Sequence, residues 1–205
     1  MRRKEFSVEE SAEVEQFLAG MTFGFLGTID REGWPHITPL NFVYEQGNVY
    51  FHGSKVGDKM KEIKHSDRVT FAVAKEYALI PSYYTDPKLA CPATAFFKSV
   101  HMRGKASIVT DLSEKAVALT AFMRKLQPEG GYAPITPEDA DYAGQLKSVA
   151  VVKIEVEELT AKFKFGQNWQ ETQREHVATK LEQRGQALDA ETAALMRQYC
   201  PAHRE

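Results

Sequence analysis

Between residues 22 and 110 the apolar positions come in short runs punctuated by turn residues. Phe23-Gly24-Phe25-Leu26-Gly27-Thr28-Ile29 reads as a strand, and Asp30-Arg31-Glu32-Gly33 as the turn after it. Residues 36–44 form the next run, Glu45-Gln46-Gly47-Asn48 a second turn, and residues 49–53 a third strand. Aromatic and β-branched runs joined by Gly-containing turns predict a β-meander. Pro39 cannot donate to a ladder, so the second strand is expected at an edge, at a bulge or where pairing stops. Residues 57–63 predict a short helix and 69–74 a fourth strand. Residues 75–93 carry Pro81, Pro87 and Pro92 with Tyr77, Tyr83 and Tyr84 and no clean period, which predicts a long loop. Residues 94–109 read as a long strand bent near Gly104, and 148–156 as a sixth, which 161–165 extends or follows.

Helices flank this strand-rich region. Ser7-Val8-Glu9-Glu10 has the form of a capping box opening a helix that stops at Gly20. Asp111-Leu112-Ser113-Glu114 predicts a helix running to about Leu126. Thr136-Pro137-Glu138-Asp139 predicts another, with Pro at its first position. From Gln170 the chain turns polar and helical, over 170–184 and 189–199, broken at Gly185. Short turns force antiparallel pairing. The expectation is a mainly β fold with a six-stranded antiparallel barrel, flanking helices and a helical tail. The domain reading is 1–169 with an extension over 170–205.

Composition narrows the function classes. The chain has 205 residues, 43% hydrophobic and 26% charged, enough for a core without staples. A net charge of −2 gives no reason to expect nucleic acid. The two cysteines, Cys91 and Cys200, fit neither a CxxC nor a metal spacing, which argues against a disulfide framework. The N-terminal basic residues precede no apolar stretch, and no run approaches the roughly 20 residues of a membrane span. A cytoplasmic protein is expected. The six histidines, His176 and His203 of the tail included, show no metal spacing. Without a Gly-x-Ser-x-Gly elbow, hydrolase chemistry has little support.

Four segments carry candidate chemistry. Phe51-His52-Gly53-Ser54-Lys55-Val56-Gly57-Asp58-Lys59 ends a strand, turns on Gly and Ser, and opens a basic helix. Free N–H groups at a helix start, with Ser54, Lys55 and Lys59, suit a phosphate. The bland alternative, a turn with solvated lysines, carries equal weight on residues alone, and the Gly-Lys-Ser/Thr ending of a Walker loop is missing. His36-Ile37-Thr38-Pro39-Leu40-Asn41-Phe42 offers free backbone groups and an Asn amide to a planar ring, or is a wet edge strand. In residues 97–106, Lys98 falls on one strand face and Ser99, His101 and Arg103 on the other. They meet an anion or simply face water. Lys162-Phe163-Lys164-Phe165-Gly166-Gln167-Asn168-Trp169 could cover a planar ligand or pack into the core.

In this order the four segments resemble the pyridoxamine 5′-phosphate oxidase-like superfamily of FMN-binding split barrels, over residues 22–169. Tyr50-Phe51-His52-Gly53-Ser54 with Gly57 and Lys59, and Lys98-Ser99-Val100 with Arg103-Gly104-Lys105-Ala106, look like the nitroimidazole-reductase branch. Residues 162–168 are similar to the closing motif of flavin-binding proteins that include a transcriptional-regulator group. The resemblance implies a split-barrel homodimer with FMN at the interface. Phe51, His52, Gly53, Ser54 and Lys59 would hold the phosphate end. Thr38, Pro39, Leu40 and Asn41 would run along the isoalloxazine. Lys98 and Ser99 would complete a site, and Gln167, Asn168 and Trp169 would close over the ring. The C-terminal Arg/His signature of true pyridoxamine phosphate oxidases is absent, so vitamin B6 oxidation is not expected.

Three functions follow as expectations. The first is an FMN-dependent reductase of a small nitroaromatic-, quinone- or aldehyde-like electrophile, fed by NAD(P)H. No catalytic residue is fixed; His52 and His101 are the proton-donor candidates. The second is a non-enzymatic flavin sensor or regulator using its tail on a partner. The third is a haem-binding member of the superfamily, for which His176 is a poor axial ligand.

Overall fold

The structure is a computed structural model and describes residues 3–200. Eight strands and six α-helices follow one another in the described residues. They are β1 (Ser7–Val8), α1 (Ser11–Ala19), β2 (Phe23–Ile29), β3 (Pro35–Asn41), β4 (Val43–Glu45), β5 (Asn48–Gly53) and α2 (Asp58–His65). After these come β6 (Arg68–Ile80), β7 (Thr94–Ile108), α3 (Leu112–Leu126), α4 (Ala140–Ser148), β8 (Ala150–Lys164), α5 (Glu171–Arg184) and α6 (Asp189–Gln198). Neighbouring strands run in the order β3-β2-β6-β7-β8-β5-β4, with β1 added on β8. The pairs β2–β3, β2–β6, β4–β5, β5–β8 and β1–β8 are antiparallel. The mainly antiparallel β class expected from the pattern is the one observed. No helix of the described residues is long and apolar enough to cross a membrane.

The described residues fall into two compact units. One comprises 10–73 and 101–159. Within it, β2 and β3 pair in register from Phe23↔Asn41 to Ile29↔Pro35. β4 and β5 are joined through Gln46 and Gly47, both at positive φ. That is the two-residue hairpin geometry whose twist matches the strands. Asp111 caps α3 by accepting from the amides of Ser113 and Glu114, as its sequence predicts. The apolar face of α3 then buries Ala118, Ala121 and Phe122 against Val43, Tyr50 and Val151. Gly104 is required where β7 meets β8, because a Cβ there would lie 2.0 Å from the Glu155 carbonyl oxygen.

The second unit comprises 3–9, 74–100 and 160–200. Aromatic rings dominate its interior. Phe165 stacks on Tyr199 at 5.3 Å and meets Tyr77 edge-on. α5 and α6 bury Val177, Ala178, Leu181, Ala193 and Met196. The two helices are tied by a forked pair between Arg184 and the buried Asp189, at 2.6 and 2.8 Å. Gly185, left-handed at φ 67°, ends α5. His203 lies outside the described residues.

Four expectations change. The predicted helix at Ser7 is instead β1, paired to Lys162 and Ala161, and α1 starts at Ser11. Ladder bonds to β8 and the burial of Val8 outcompete the local cap. The run 36–44 divides because fully buried Phe42 leaves the ladder and donates its amide to Thr22 O. With β1, that division makes eight strands rather than six. The predicted loop at 75–93 is shorter, since β6 continues to Ile80 with Tyr77, Ala78 and Ile80 buried. Polar Lys75 and Glu76 mask that period. Finally, α4 is capped by Asp139, not Thr136, whose hydroxyl accepts from the Asp139 amide instead.

Candidate functional site

In the first unit, buried Phe51 anchors the end of β5 and leaves His52 exposed beyond it. The His52 ring rests edge-on against Phe122, 4.8 Å between centroids. Burial of that face pushes its pKa below the usual imidazole value. After Gly53 the chain turns. The Ser54 hydroxyl accepts from the Val56 amide at 3.2 Å, and Lys55 is held away by donating to Lys147 O at 2.7 Å. Gly57, at φ 134° and ψ 164°, is the N-cap of α2 and offers no side chain to its first-turn amides. That backbone region is essentially open to glycine alone. Lys59 projects beside Gly53, its ammonium 3.8 Å from where a Cβ would stand. Among the described residues it has no hydrogen-bond or ion-pair partner. Asp58, the one acid in this first turn, is paired with Lys61 at 2.9 Å, which holds its carboxyl below the usual range.

β3 neighbours β5 in the same unit, so Thr38 to Asn41 and Phe51 to Lys59 belong to one region. Pro39 pairs with Phe25 on an edge strand, as its missing N–H requires. Asn41 donates to Thr22 O at 3.0 Å. Leu40 lies on the same strand face as Thr38. The Thr38 hydroxyl oxygen is buried and has no hydrogen-bond partner among the described residues. A buried hydroxyl without a partner costs free energy, which a ligand group could recover. His101 lies on the outward face of β7, exposed.

A third cluster escaped sequence reasoning. Glu62, buried on α2, accepts the Thr28 hydroxyl at 2.6 Å and faces His36 Nδ1 at 2.9 and 3.0 Å. A His36 tautomer with its proton on Nδ1 donates to this carboxylate and leaves Nε2 as acceptor. Thr28 and His36 are cross-strand partners in the β2–β3 hairpin, and only the packing of α2 against it brings Glu62 to them.

The remaining expected residues sit in the second unit. Lys98 points inward, its ammonium 4.7 Å from the Phe163 ring centre and 5.7–6.0 Å from those of Tyr77, Phe165 and Tyr199. Ser99 donates to Lys162 O at 3.5 Å. Gln167 is consumed by its own turn, accepting from Phe165 N at 2.7 Å and donating to Phe163 O at 2.6 Å. Asn168 is exposed, and Trp169 leans on Phe96 with centroids 5.3 Å apart. Both line a cavity of about 410 Å³.

A profile of the family described as pyridoxamine 5′-phosphate oxidase matches residues 10–163. The chain belongs to this family. Within it and around it, the relatives differ in what their names record. The chain is 26% identical, over 94% of each sequence, to the protease synthase and sporulation protein PAI 2 of Bacillus subtilis (strain 168). It superposes on a candidate 5-nitroimidazole antibiotic resistance protein from Bacteroides thetaiotaomicron VPI-5482 with TM-score 0.59 and 26% identity, covering 76% of this chain and 85% of that one. It also superposes on a flavocytochrome from Azotobacter vinelandii with TM-score 0.64 and 25% identity, covering 78% and 70%. The pyridoxamine 5′-phosphate oxidase family match spans β2 to β8 nearly entire, and so includes both the Gly53–Lys59 turn and the β3 segment. Among the described residues no group of three His, Cys, Asp or Glu could hold a metal ion.

Proposed function

We propose that the protein binds FMN and uses it to reduce a small electrophile of the nitroaromatic or quinone kind, with NAD(P)H as the electron source. The observation that carries this reading is the turn from His52 to Lys59. It combines a helix start with uncapped amides, a glycine-only bend and an unpaired ammonium, the donor set a terminal phosphate requires. The buried, unpartnered Thr38 hydroxyl on the neighbouring strand fits a ligand passing along β3. Family membership, and likeness to a flavocytochrome and to a candidate nitroimidazole resistance protein, support the same reading.

On this reading Lys59, Ser54 and the first-turn amides of α2 hold the phosphate. Thr38, Pro39, Leu40 and Asn41 align the ring, and its pyrimidine edge takes hydrogen bonds from this segment. When bound, the flavin supplies the electron transfer, and the chain's task is placement and electrostatics. His52, with its lowered pKa, is neutral near pH 7 and better able to accept a proton than to donate one. A homodimer is part of the proposal. The outer face of β2–β3 exposes Phe23, Phe25, Ile29 and Ile37 at 41–58%, an apolar strip that a second copy would cover.

The absorption spectrum of freshly purified protein, with mass spectrometry of what heat releases, tests the cofactor. FMN is expected; a Soret band would replace the reading by a haem one. Anaerobic mixing with NAD(P)H should then bleach the flavin band, and a band that persists with both nucleotides would leave a binding protein without this reaction.

A further inference from the structure

In the first unit, the Thr28–His36–Glu62 cluster adjoins α2 one turn beyond its phosphate-facing start. Register builds it. Thr28 and His36 stand opposite each other across β2 and β3, and period two puts Thr38 and Leu40 on the same face of β3 as His36. α2 packs against β2 and brings Glu62 to this face, flanked on the helix by buried Met60 and Ile63. Both Glu62 oxygens meet His36 Nδ1, at 2.9 and 3.0 Å, and one of them takes the Thr28 hydroxyl at 2.6 Å. One ring nitrogen thereby fixes the imidazole. The His36 side chain is still 45% exposed, and its Nε2 has no hydrogen-bond partner among the described residues.

The charges around this ring bear on the helix start. Asp58 and Glu62 lie four positions apart on one face of α2. Asp58 is answered by Lys61 at 2.9 Å. Its carboxyl is held below the usual range first by Lys61 and in smaller part by His36, so the imidazole charge reaches the first turn. Glu62 is paired with His36, which carries charge only when protonated. β2 presents the uncharged Thr28 to the ring, and Thr38 and Leu40 of β3 carry no charge. While His36 is neutral, a buried carboxylate one turn inside α2 opposes an anion at the N-terminus and offsets the attraction of its free amides. An imidazolium cancels that charge and adds an Nε2–H donor.

We infer that anion binding at the start of α2 is coupled to protonation of His36, with Glu62 as the positioning residue that fixes the ring and supplies the charge to be cancelled. The ligand is a phosphate monoester. Its identification as FMN rests on the flavin reading; the coupling does not. Binding takes up a proton and therefore weakens as pH rises through the imidazole titration. His52 contributes little to this slope, because burial of its face lowers its pKa and leaves it neutral over most of the range.

FMN affinity is followed by quenching of flavin fluorescence at pH 6.5, 7.5 and 8.5, above the second ionisation of a phosphate monoester at about 6. The affinity of the parent chain should fall by about tenfold across this range, the worth of one charge-assisted contact. His36→Gln should bind at pH 6.5 as weakly as the parent at pH 8.5, without the slope. His36→Arg, charged throughout, should stay tight at every pH. Glu62→Gln should shrink the slope, and riboflavin, which has no phosphate, should show none. A purely structural His36–Glu62 pair would lower the melting temperature and weaken every pH point alike. A slope that survives His36→Gln overturns the coupling, as does a parent profile that is flat or rises with pH. An equal slope for riboflavin overturns its location at the phosphate. FMN that fails to bind at any pH defeats the flavin reading alone. The His36 Cε1 proton is then followed by NMR during titration with glycerol phosphate. A saturable shift about tenfold stronger at pH 6.5 than at pH 8.5 keeps the coupling with another monoester. No shift, or one of equal strength at both pH values, overturns it as well.

Discussion

The two units hold several of their cations differently, although Lys125 of the first also lies over the Phe42 ring and Arg174 and Arg184 of the second also donate to carbonyls. In the unit of residues 10–73 and 101–159, buried ammonium groups are spent on backbone carbonyls. Lys115 donates to Leu146 O and Val149 O, both at 2.8 Å. Lys125 donates to Leu18 O, Met21 O and Phe42 O at 2.6–3.3 Å, closing the end of α1. In the unit of residues 3–9, 74–100 and 160–200, Arg3 and Lys162 lie over aromatic rings. A cation saturated by carbonyls is structural, because removing it orphans acceptors. One held by ring faces keeps most of its capacity for an anion, since a ring quadrupole satisfies no donor geometrically. Lys59 meets neither carbonyl nor ring, and it stands beside Gly53 at the start of α2, which makes it the cation of this unit placed for a ligand.

The strongest break in that contrast is Lys125→Met. It removes a donor from the Leu18, Met21 and Phe42 carbonyls, of which Leu18 keeps the Met21 amide, and should cost roughly 1–3 kcal/mol in urea unfolding. An unchanged unfolding midpoint would mean that carbonyl saturation is not what holds this region. Next, Lys59→Met should weaken FMN by about ten- to a hundredfold while the apoprotein melts as before, because the lost contact is charge-assisted and made only to ligand. Equilibrium dialysis against FMN decides it. A fall in apoprotein stability without a change in affinity would move Lys59 to the structural class.

The Lys125 titration gives a smaller effect. Burial pushes this ammonium down to about 8 in the folded chain. The unfolded chain keeps its proton to about 10.4. Unfolding therefore takes up a proton between these values, and stability rises with pH across that window. Lys125→Met should flatten that rise. The smallest effect is expected for Lys164→Met, within about 0.5 kcal/mol of the parent and on the stabilising side, because it relieves repulsion from Lys162 and Arg3. A loss comparable to that of Lys125→Met would end the distinction between the two classes.

Much of the phosphate-facing turn was legible in the sequence. Gly53, Ser54, Gly57 and Lys59 sit within seven residues, and a strand end followed by a helix start follows from their local periodicity. The observed φ of Gly57 and the start of α2 at Asp58 agree with that local reading. Elsewhere local signals misled. Ser7 to Glu10 has the form of a helix cap, yet β8 takes Ser7 and Val8 as a strand. Gln167 reads as a ligand-facing amide, yet both ends of its side chain bind its own turn. The Thr28–Glu62–His36 chain left no trace, because Glu62 lies 26 and 34 positions from His36 and Thr28.

What the sequence by itself determined is therefore whatever depends on neighbours in the chain. That covers the β2–β3 and β4–β5 hairpins though not their joining into one meander, the Asp111 cap, the Gly185 stop and the anion-friendly turn, together with the resemblance that the family match bears out. The tertiary structure alone decided which cations meet carbonyls and which meet rings. Arg3 and Lys164 lie 161 positions apart and share a cavity only because β1 adds to β8. The physical reason is the range of the interactions. Turn and cap geometry is set within four residues, whereas desolvation and charge repulsion depend on whatever packing brings within a few ångströms.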